Sequence, residues 1–460
     1  MRLAGAVLAG RAASGLSRYL GRGGGTVIAG HVVPRLAPDA LALLSAALPE
    51  GVALVSGTNG KTTTSRLLAR ILATAGHRAV HNRAGANLLT GLVSALAQDA
   101  DLRGRPRAQI GLFEVDEATL PHAIPPTRPR VLVLTNIFRD QLDRYGEVHY
   151  VADVWRRALG ALPRDTVLAL NADDPLVASL GAAHAGPTLY YGVDVPALGT
   201  PGLPHAADAR LCTACGAPLD YATAYYGHLG HYRCAACGLA RPEPAVALIA
   251  PVGLGAASTD LRIRTPAGEL ALTLPLPGLY NVYNALAATA GALALGMDPE
   301  AIARGLAQFS AAFGRLERVP VGDRAVSLAL VKNPVGFTEV LRTLVVDPAP
   351  KALLLAINDL FADGTDVSWL WDVDFELLAG HVAFAVCSGT RAADMALRLK
   401  YALIEPEWIA VEPDVARALQ LALGRTPAGE VLHVLPTYTA MLALREALHR
   451  AGAVGAFWED

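Results

Sequence analysis

Apolar runs of strand length alternate along this chain with longer segments in which apolar residues recur at helical spacing. Residues Val52–Ser56 have the pattern of a buried strand, and residues 63–75 have that of a helix ended by Gly76. The same patterns predict further strands at 110–115, 131–135, 166–170, 351–358, 381–388 and 430–436, and further helices at 281–295, 391–401 and 414–423. Strands that alternate with helices in this way predict α/β domains with parallel sheets.

Two stretches break the alternation. Residues 261–264 and 270–274 are short alternating runs around a Pro-Ala-Gly turn, which predicts a β-hairpin. Residues 196–244 are rich in Cys, Tyr, His and Gly, and we interpret them as an insertion. The predicted organisation is an N-terminal segment at 1–50, a central nucleotide-type α/β domain at 51–315 that carries the insertion, and a smaller C-terminal α/β domain at 316–460.

Composition and charge exclude several classes of protein. Apolar residues make up 53% of the 460 residues and charged residues 17%, which excludes a disordered chain. The net charge of −2 gives no electrostatic reason to expect a nucleic-acid partner. Since no charge-free apolar run reaches the ~20 residues of a membrane span, an integral membrane protein is not expected. Arg2 and the apolar residues after it imitate a signal peptide, but Arg11, Arg18 and Arg22 interrupt it, so we expect an amphipathic N-terminal helix and a cytoplasmic protein.

A glycine-rich loop joins the first predicted strand of the central domain to its first helix. Such a loop presents backbone N–H groups to phosphate oxygens at a helix N-terminus. Lys61 is expected to reach the β- and γ-phosphates of ATP, and the Thr62 hydroxyl to bind Mg²⁺. The loop is shorter than a strict Walker A motif, and the alternative is an ordinary glycine turn. The expected nucleotide-binding residues are Gly57, Thr58, Asn59, Gly60, Lys61, Thr62 and Thr63.

An acidic strand end follows downstream. Residues 113–117 contain three carboxylates, and Mg²⁺ on nucleotide phosphates commonly takes one or two protein carboxylates. Glu114 is therefore the candidate ligand for Mg²⁺. A solvated acidic strand end is the alternative interpretation. Residues 81–83 and 85–87 could line the same cleft.

Four cysteines in the insertion have the spacing of a zinc ribbon. Two Cys-x-x-Cys pairs stand 18 residues apart and offer four thiolates, which leaves no open position for a catalytic water. The sequence therefore predicts structural Zn²⁺ bound by Cys212, Cys215, Cys234 and Cys237. Disulfide pairs are the alternative. The fifth cysteine, Cys387, lies in an apolar predicted strand and is expected in the core.

Three segments together resemble the Mur ligase family, which includes the folylpolyglutamate synthases. The loop at 57–63 is similar to the family's ATP loop, residues 135–147 to its second conserved block, and residues 278–288 to its adenine-contacting helix start. The resemblance implies a central ATP-binding domain followed by a Rossmann-like C-terminal domain. It also implies an ATP-dependent carbon–nitrogen ligase, in which a phosphorylated carboxylate is attacked by an amine.

Two departures from the common family pattern match its MurT branch, the synthetase subunits of lipid II isoglutaminyl synthase. The second block has Asp140–Gln141 in place of Asp-His, and the C-terminal motif has Lys332–Asn333–Pro334. The resemblance implies amidation of the α-carboxylate of D-glutamate in the lipid II stem peptide to D-isoglutamine. Ammonia would come from a glutaminase partner of the GatD type in a heteromeric complex, at the inner face of the membrane.

The resemblance also suggests roles for individual residues. Lys61, Glu114 and Asp366 are the expected catalytic residues, with Asp366 orienting the imidazole of the partner's Cys-His pair. Asn281 and Arg315 are expected at the adenine and phosphates, and Asn333 and Asn358 lie in matching motifs without firm roles. A solvated acidic loop at 363–374 and a simple salt bridge between Arg315 and Glu317 are the alternatives.

Two other functions compete with this reading. A self-contained amino-acid ligase of the Mur or folylpolyglutamate type would carry Asp-His in the second block, which this chain lacks. A non-catalytic ATP-binding or zinc-scaffold protein would have no reason to combine Lys61, Thr62 and Glu114.

Overall fold

Two mixed β-sheets, of nine and six strands, organise the part of the chain that the structure describes. The structure is a computed structural model. It describes residues 2–19, 27–82, 85–140, 148–203, 207–250, 253, 255, 257–309 and 315–454, without the side chains of Arg18 and of 315–317.

Within residues 2–19 and 27–51, three helices precede the first strand. They are α1 (Arg2–Tyr19), α2 (Ile28–Leu36) and α3 (Ala40–Ala46). Buried residues such as Val7 and Val33 join one apolar core with Leu54 of the central sheet. An N-terminal helix is therefore present and packs on the domain that follows, but the expected amphipathic pattern is not found, because Leu8, Leu16 and Tyr19 are exposed on its outer side. No helix within the described ranges combines the length and the apolarity that crossing a membrane needs.

The nine-stranded sheet forms the centre of the larger unit. Its strands are β1 (Val52–Ser56), β2 (Ala79–His81), β3 (Ile110–Glu114), β4 (Val131–Leu134), β5 (Val167–Asn171), β6 (Thr188–Val193), β9 (Val246–Leu248), β10 (Thr259–Thr265) and β11 (Gly268–Leu274). The order is β11-β10-β9-β6-β5-β4-β1-β3-β2, and all neighbours are parallel up to β9, whereas β10 and β11 form the predicted antiparallel hairpin. Strand β1 is buried on both faces, as parallel strands covered by helices are.

Seven helices flank this sheet within the described ranges. They are α4 (Lys61–Thr74), α5 (Leu89–Asp99), α6 (Leu120–Thr127), α7 (Val148–Leu159), α8 (Pro175–Ser179), α9 (Leu279–Ala294) and α10 (Pro299–Ala307). Helix α4 buries Leu67, Leu68, Ile71 and Leu72 against α9 and α10, which is the apolar face that the sequence predicts. The helix begins two residues earlier than predicted, at Lys61 directly after the loop.

The insertion leaves the central sheet and forms a separate two-stranded sheet. Its strands are β7 (Asp220–Tyr226) and β8 (Leu229–Arg233), joined by a tight turn at Gly227. Tyr225, Tyr226 and Leu229 lie in the same core as helix α4, so the hairpin is anchored to the domain that carries it.

The six-stranded sheet has the order β12-β13-β17-β14-β15-β16, with one antiparallel pair, β12 and β13. Its strands are β12 (Arg315–Val321), β13 (Arg324–Ala329), β14 (Lys351–Ala356), β15 (Val382–Ser388), β16 (Ile409–Val411) and β17 (Val431–Pro436). Its helices are α11 (Pro334–Val345), α12 (Ala392–Tyr401), α13 (Val415–Arg425) and α14 (Tyr438–Arg450). The predicted strands and helices here agree with the structure within two residues. The boundary between 315 and 316 stays a prediction.

Candidate active site

The carboxyl ends of three adjacent parallel strands bring the predicted ATP-site residues together. The glycine-rich loop follows β1, Glu114 ends β3, and Asn136 follows β4. Because β1 lies between β3 and β4 in the sheet, these side chains meet at one edge. Ligands of open parallel sheets bind at this edge.

Two positions of the loop require glycine. Gly57 has a φ of +137°, and a Cβ there would lie 2.0 Å from the Thr135 hydroxyl oxygen. Gly60 has a φ of +85°, and its Cβ would lie 2.0 Å from the side-chain oxygen of Asn284. Neither side-chain contact is physically possible, so the loop packs against β4 and α9 only because both residues are glycine.

Lys61 is the first residue of α4, and its ammonium group is buried at the base of the loop. Its Nζ donates a hydrogen bond to the Thr58 carbonyl at 3.2 Å and lies 3.0 Å from a carboxylate oxygen of Glu117. Glu117 is one of the three carboxylates in the acidic strand end, but its pairing with Lys61 could not be predicted from the sequence. The ion pair holds a buried positive charge at the helix N-terminus, where a phosphate group is stabilised.

Thr62 and Glu114 form the predicted pair of hard oxygen ligands. The Thr62 hydroxyl donates to Oε1 of Glu114 at 2.9 Å. Oε2 of Glu114 is buried and has no hydrogen-bond partner among the described residues. The side chain of Asn82 holds the Glu114 backbone in place, since its amide both donates to the Glu114 carbonyl and accepts from the Glu114 N–H. A hydroxyl and an unpartnered carboxylate oxygen side by side fit the oxygen-ligand chemistry of Mg²⁺.

The first two residues of the second block, Thr135 and Asn136, hold the glycine-rich loop in place. The Asn136 side chain accepts the N–H of Asn59 at 2.8 Å and donates to the Asn59 carbonyl at 3.1 Å. The Thr135 hydroxyl donates to the same carbonyl at 2.7 Å. Residues 141–147 of this block, including Gln141, lie outside the described residues, as does Arg83 of the 81–83 segment.

The C-terminal sheet closes the opposite side of a cleft of about 430 Å³. Asn333 and Asn59 exchange two side-chain hydrogen bonds, of 2.9 and 3.3 Å. Beside them, Lys332 forms an ion pair with Asp140. Lys332 of the C-terminal motif and Asp140 of the second block thus meet in the cleft, and both line it.

Asn281 also lines the cleft, near the start of α9. Its amide donates to the Pro277 carbonyl at 2.7 Å and accepts from Asn284 at 3.2 Å. Arg315 starts β12, but its side chain lies outside what the structure describes. Asn358 is not among the residues that line the cleft; its amide donates to the Thr439 hydroxyl.

The acidic segment after β14 divides between the cleft and the surface. Asp363 is buried, lines the cleft, and accepts hydrogen bonds from the backbone and hydroxyl of Thr439. Asp366 is exposed and accepts the Ser368 N–H at 2.8 Å, which lowers the pKa of its carboxyl. The structure therefore does not bring Asp366 together with Lys61 and Glu114.

Glu339 and Tyr226 are among the cleft residues that had no signal in the sequence. Glu339 of α11 is buried, and burial raises the pKa of its carboxyl to about 7 although Arg342 lies 3.1 Å away and opposes the shift. Tyr226 reaches the cleft from the inserted hairpin. A helix position facing solvent and one facing a cleft have the same local sequence pattern, so only the fold identifies Glu339.

The inserted hairpin connects the cysteine cluster to the cleft. Its Gly227 packs so tightly that a Cβ there would lie 2.7 Å from the ring of Phe138 and 3.3 Å from Val335. Phe138 belongs to the second block, and Val335 lies in the first turn of α11. The turn of the hairpin thus lies between segments from both sides of the cleft.

The four cysteines of the insertion converge on one point. Their sulfur atoms all lie within 4.8 Å of one another, and the Cys212–Cys237 and Cys215–Cys234 pairs are 3.5 Å apart. These distances far exceed the ~2.05 Å of a disulfide bond. They approach the ~3.8 Å that separates sulfurs around a tetrahedral Zn²⁺ with Zn–S bonds of ~2.3 Å. The donor set therefore fits a closed zinc site.

The comparisons with known proteins agree with this geometry. The family model for the MurT ligase C-terminal domain matches residues 330–441, and that for the Mur ligase middle domain matches residues 55–201. The MurT subunit of the lipid II isoglutaminyl synthase (glutamine-hydrolyzing) of Streptococcus pneumoniae is 35% identical over 445 residues, 96% of each chain. The chain belongs to the MurT family. The MurT subunit of Staphylococcus aureus strain N315 is 31% identical over 95% of each chain. MurT proteins are ligases of the Mur ligase family, so the predicted enzyme class is confirmed.

Solved structures show the same fold. A pseudomurein peptide ligase type C from Methanothermus fervidus superposes with a TM-score of 0.67 at 24% identity, over 88% of this chain and 79% of that one. A folylpolyglutamate synthase from Mycobacterium tuberculosis, solved with ADP and AMPPCP, has a TM-score of 0.63 at 14% identity, over 91% of this chain and 95% of that one. The predicted α/β Mur ligase fold is confirmed, and this MurT chain shares it with ADP-binding enzymes.

Proposed function

We propose that this chain is the ATP-dependent synthetase subunit that amidates the α-carboxylate of D-glutamate in the stem peptide of lipid II, producing D-isoglutamine. The observation that carries the proposal is the match to MurT subunits over nearly the full length of both chains. The cleft supports it, since Lys61 and the Thr62–Glu114 pair meet at the strand ends where a nucleotide is bound in this fold.

The loop and its neighbours supply the phosphoryl-transfer chemistry. Mg²⁺–ATP, when bound, supplies the phosphoryl group that activates the acceptor carboxylate. Lys61 and the N–H groups at the start of α4 hold the phosphates, and Thr62 with Glu114 holds the Mg²⁺. Asn281 and Arg315 contact the nucleotide, at the adenine and toward the phosphates. Catalysis here is positioning and charge stabilisation, which is what phosphoryl transfer requires of a protein.

Lys332 adds a second cation on the opposite wall. It lines the cleft beside the amide pair that joins the two sides, and Asp140 fixes it there. In this position its ammonium group faces the space between the nucleotide loop and the C-terminal sheet. We assign it to the acceptor side, where it stabilises the negative charge of the activated carboxylate.

A glutaminase partner supplies the ammonia. The relatives' names describe a glutamine-hydrolyzing enzyme with a MurT subunit. Asp366 is the residue that we assign to the partner's active site, where a carboxylate orients the imidazole of a Cys-His pair. Its exposure and its lowered pKa suit this role, because the group is accessible and ionised at neutral pH. The complex acts at the cytoplasmic face of the membrane, and Zn²⁺ on the four cysteines stabilises the insertion.

The decisive experiment incubates the purified chain with ATP, Mg²⁺, ammonium and a lipid II-type acceptor. Mass spectrometry is expected to show a carboxyl-to-amide change on the D-glutamate, which Lys61→Ala abolishes. Arg70→Ala, an exposed position on the same helix, is the matched control and retains activity. Parallel reactions offer amino acids in place of ammonium. Addition of an amino acid would overturn the proposal in favour of a self-contained ligase, and no product from either nucleophile with the partner present would overturn both.

A further inference from the structure

Helix α1 exposes an apolar stripe instead of a polar face. Its buried residues, which include Ala6, Val7 and Gly10, pack against α2. Leu8 is 42% exposed, Leu16 58% and Tyr19 88%. Two exposed small residues, Gly5 and Ala12, lie on the same side, so the outer stripe consists of Gly5, Leu8, Ala12, Leu16 and Tyr19. Steps of three and four residues place all five within an arc of about 80° on the helix surface. A surface helix ordinarily turns polar residues to water on this side.

The chain around this outer stripe is strongly basic. The first 38 residues contain no Asp or Glu, whereas the whole chain has a net charge of −2. Within those 38 residues stand five arginines: Arg2, Arg11, Arg18, Arg22 and Arg35. Positive charge is therefore concentrated in the segment that carries the exposed apolar residues.

A second basic segment lies beside the N-terminal end of α1. Residues 101–107 expose Leu102 to 71%, together with the side chains of Arg103, Arg105 and Arg107. This segment packs closely against α1, as Gly104 shows: a Cβ on that residue would lie 3.1 Å from the Cα of Ala4. Arg11 makes a further link by donating to the Ala100 carbonyl at 2.6 Å. The one carboxylate of the segment, Asp101, accepts the N–H groups of Arg103 and Arg105.

This surface is connected to the cleft by one helix. Helix α5 begins next to Leu88, which lines the cleft, and ends at Asp99 beside the basic segment. Its 11 residues span about 16 Å. The basic apolar surface and the cleft therefore lie at opposite ends of a single rigid element.

We propose that the outer stripe of α1 and the 101–107 segment together dock the enzyme on an anionic lipid bilayer. Apolar side chains flanked by arginines are the pattern of a helix that lies in the membrane interface, where the apolar groups enter the acyl boundary and the cations meet the headgroups. A second copy of this chain fits less well, because a two-fold contact would oppose the arginines of both copies. The purpose of docking rests on the proposed function, since it brings the cleft within reach of a lipid-linked acceptor.

Vesicle co-sedimentation of the full chain tests this without ATP or acceptor. Binding is expected to vesicles of phosphatidylcholine with roughly a third phosphatidylglycerol, to fall with phosphatidylcholine alone, and to weaken as salt rises. Leu8→Glu with Leu16→Glu is expected to reduce binding by about tenfold or more, since each removes an exposed leucine that the bilayer would bury and adds a charge that the anionic lipids repel. Leu397→Glu with Leu421→Glu, exposed to 47% and 40% on helices of the C-terminal sheet, is the matched control and binds like the wild type.

A folding control accompanies the test. The stripe variant should melt like the wild type, and if it does not, Arg103→Gln with Arg105→Gln in the exposed segment tests the electrostatic part alone. Wild-type protein that ignores anionic vesicles, or a folded stripe variant that binds them unchanged, overturns the proposal. The proposal is also overturned if the stripe variant still binds vesicles but loses self-association or binding to the glutaminase. Vesicle binding without amide formation would leave this inference standing and refute the proposed function alone.

Discussion

The reciprocal amide pair between Asn59 and Asn333 yields a quantitative prediction about how the two sides of the cleft cooperate. Asn59 belongs to the nucleotide loop and Asn333 to the start of α11, so the pair joins the two sheets directly at the site. The Asn333 side chain also accepts the Gly336 N–H at 2.8 Å and so caps α11. Replacing either residue removes the pair, but only the replacement of Asn333 removes the cap.

The expected magnitudes follow from these contacts. Two net hydrogen bonds contribute about 2 kcal/mol, and an Asn cap about 1 kcal/mol. Asn59→Ala should therefore cost about 2 kcal/mol and Asn333→Ala about 3 kcal/mol in the free energy of the joined arrangement. The double variant should also cost about 3 kcal/mol, because the pair is lost only once. The coupling energy of about 2 kcal/mol corresponds to roughly 30-fold in kcat/KM.

The assay is a double-mutant cycle on kcat/KM for ATP in the ammonium-dependent amidation. Asn333→Asp is the matched control, because its carboxylate retains the cap and still accepts from Asn59; we expect a loss of about 1 kcal/mol, or roughly fivefold. Additive losses of about 5 kcal/mol in the double variant would refute the reasoning, since they would mean that the pair is not formed in the transition state.

Three further outcomes are expected. Glu114→Gln should raise the Mg²⁺ concentration for half-maximal ATP turnover by about tenfold or more, as one anionic ligand is lost; an unchanged Mg²⁺ titration would contradict the assignment. Cys215→Ser should lower the zinc content measured by elemental mass spectrometry, together with the melting temperature, whereas Cys387→Ser should leave zinc unchanged. Burial raises the pKa of Glu339 from its ordinary 4.5 to about 7, so the unfolded chain releases this proton first as the pH rises. The free energy of unfolding should therefore fall by about 3 kcal/mol between pH 4.5 and 7, and Glu339→Gln should remove this part of the pH dependence in denaturant titrations; equal slopes in both proteins would contradict it.

Elements with local signals were predictable from sequence. The strand Val52–Ser56 and the glycine-rich motif at 57–63 were predictable, because a short apolar run is followed by glycines in a motif typical of phosphate loops. The strand has the predicted bounds, and the helix after the loop begins two residues earlier than predicted. The cysteine cluster was also predictable, because the two Cys-x-x-Cys pairs are local units whose spacing limits how they can meet. The resemblance to the Mur ligases added the order of the domains, which local patterns do not contain.

Contacts between distant segments were not predictable. Asn59 and Asn333 stand 274 positions apart, and Lys332 pairs with Asp140 across 192 positions. Neither partner has a neighbour in sequence that points to the other. The same limit applies to the aspartates of 363–374, for which a solvated acidic loop was the alternative to a functional role. Only the packing of Thr439 separates the inward Asp363 from the outward Asp366.

The anchoring of Asp363 has a thermodynamic consequence. Its two hydrogen bonds tie the segment that carries Asp366 to Thr439 in the first turn of α14, next to Tyr438, which lines the cleft. A protein docked at Asp366 and a nucleotide in the cleft therefore act on one short stretch of chain. Linkage then imposes reciprocity: by whatever factor nucleotide changes the affinity for the docked protein, that protein changes the affinity for nucleotide by the same factor. Under the proposed function the docked protein is the glutaminase partner, so binding of ATP in the cleft and binding of the partner would be coupled in this way.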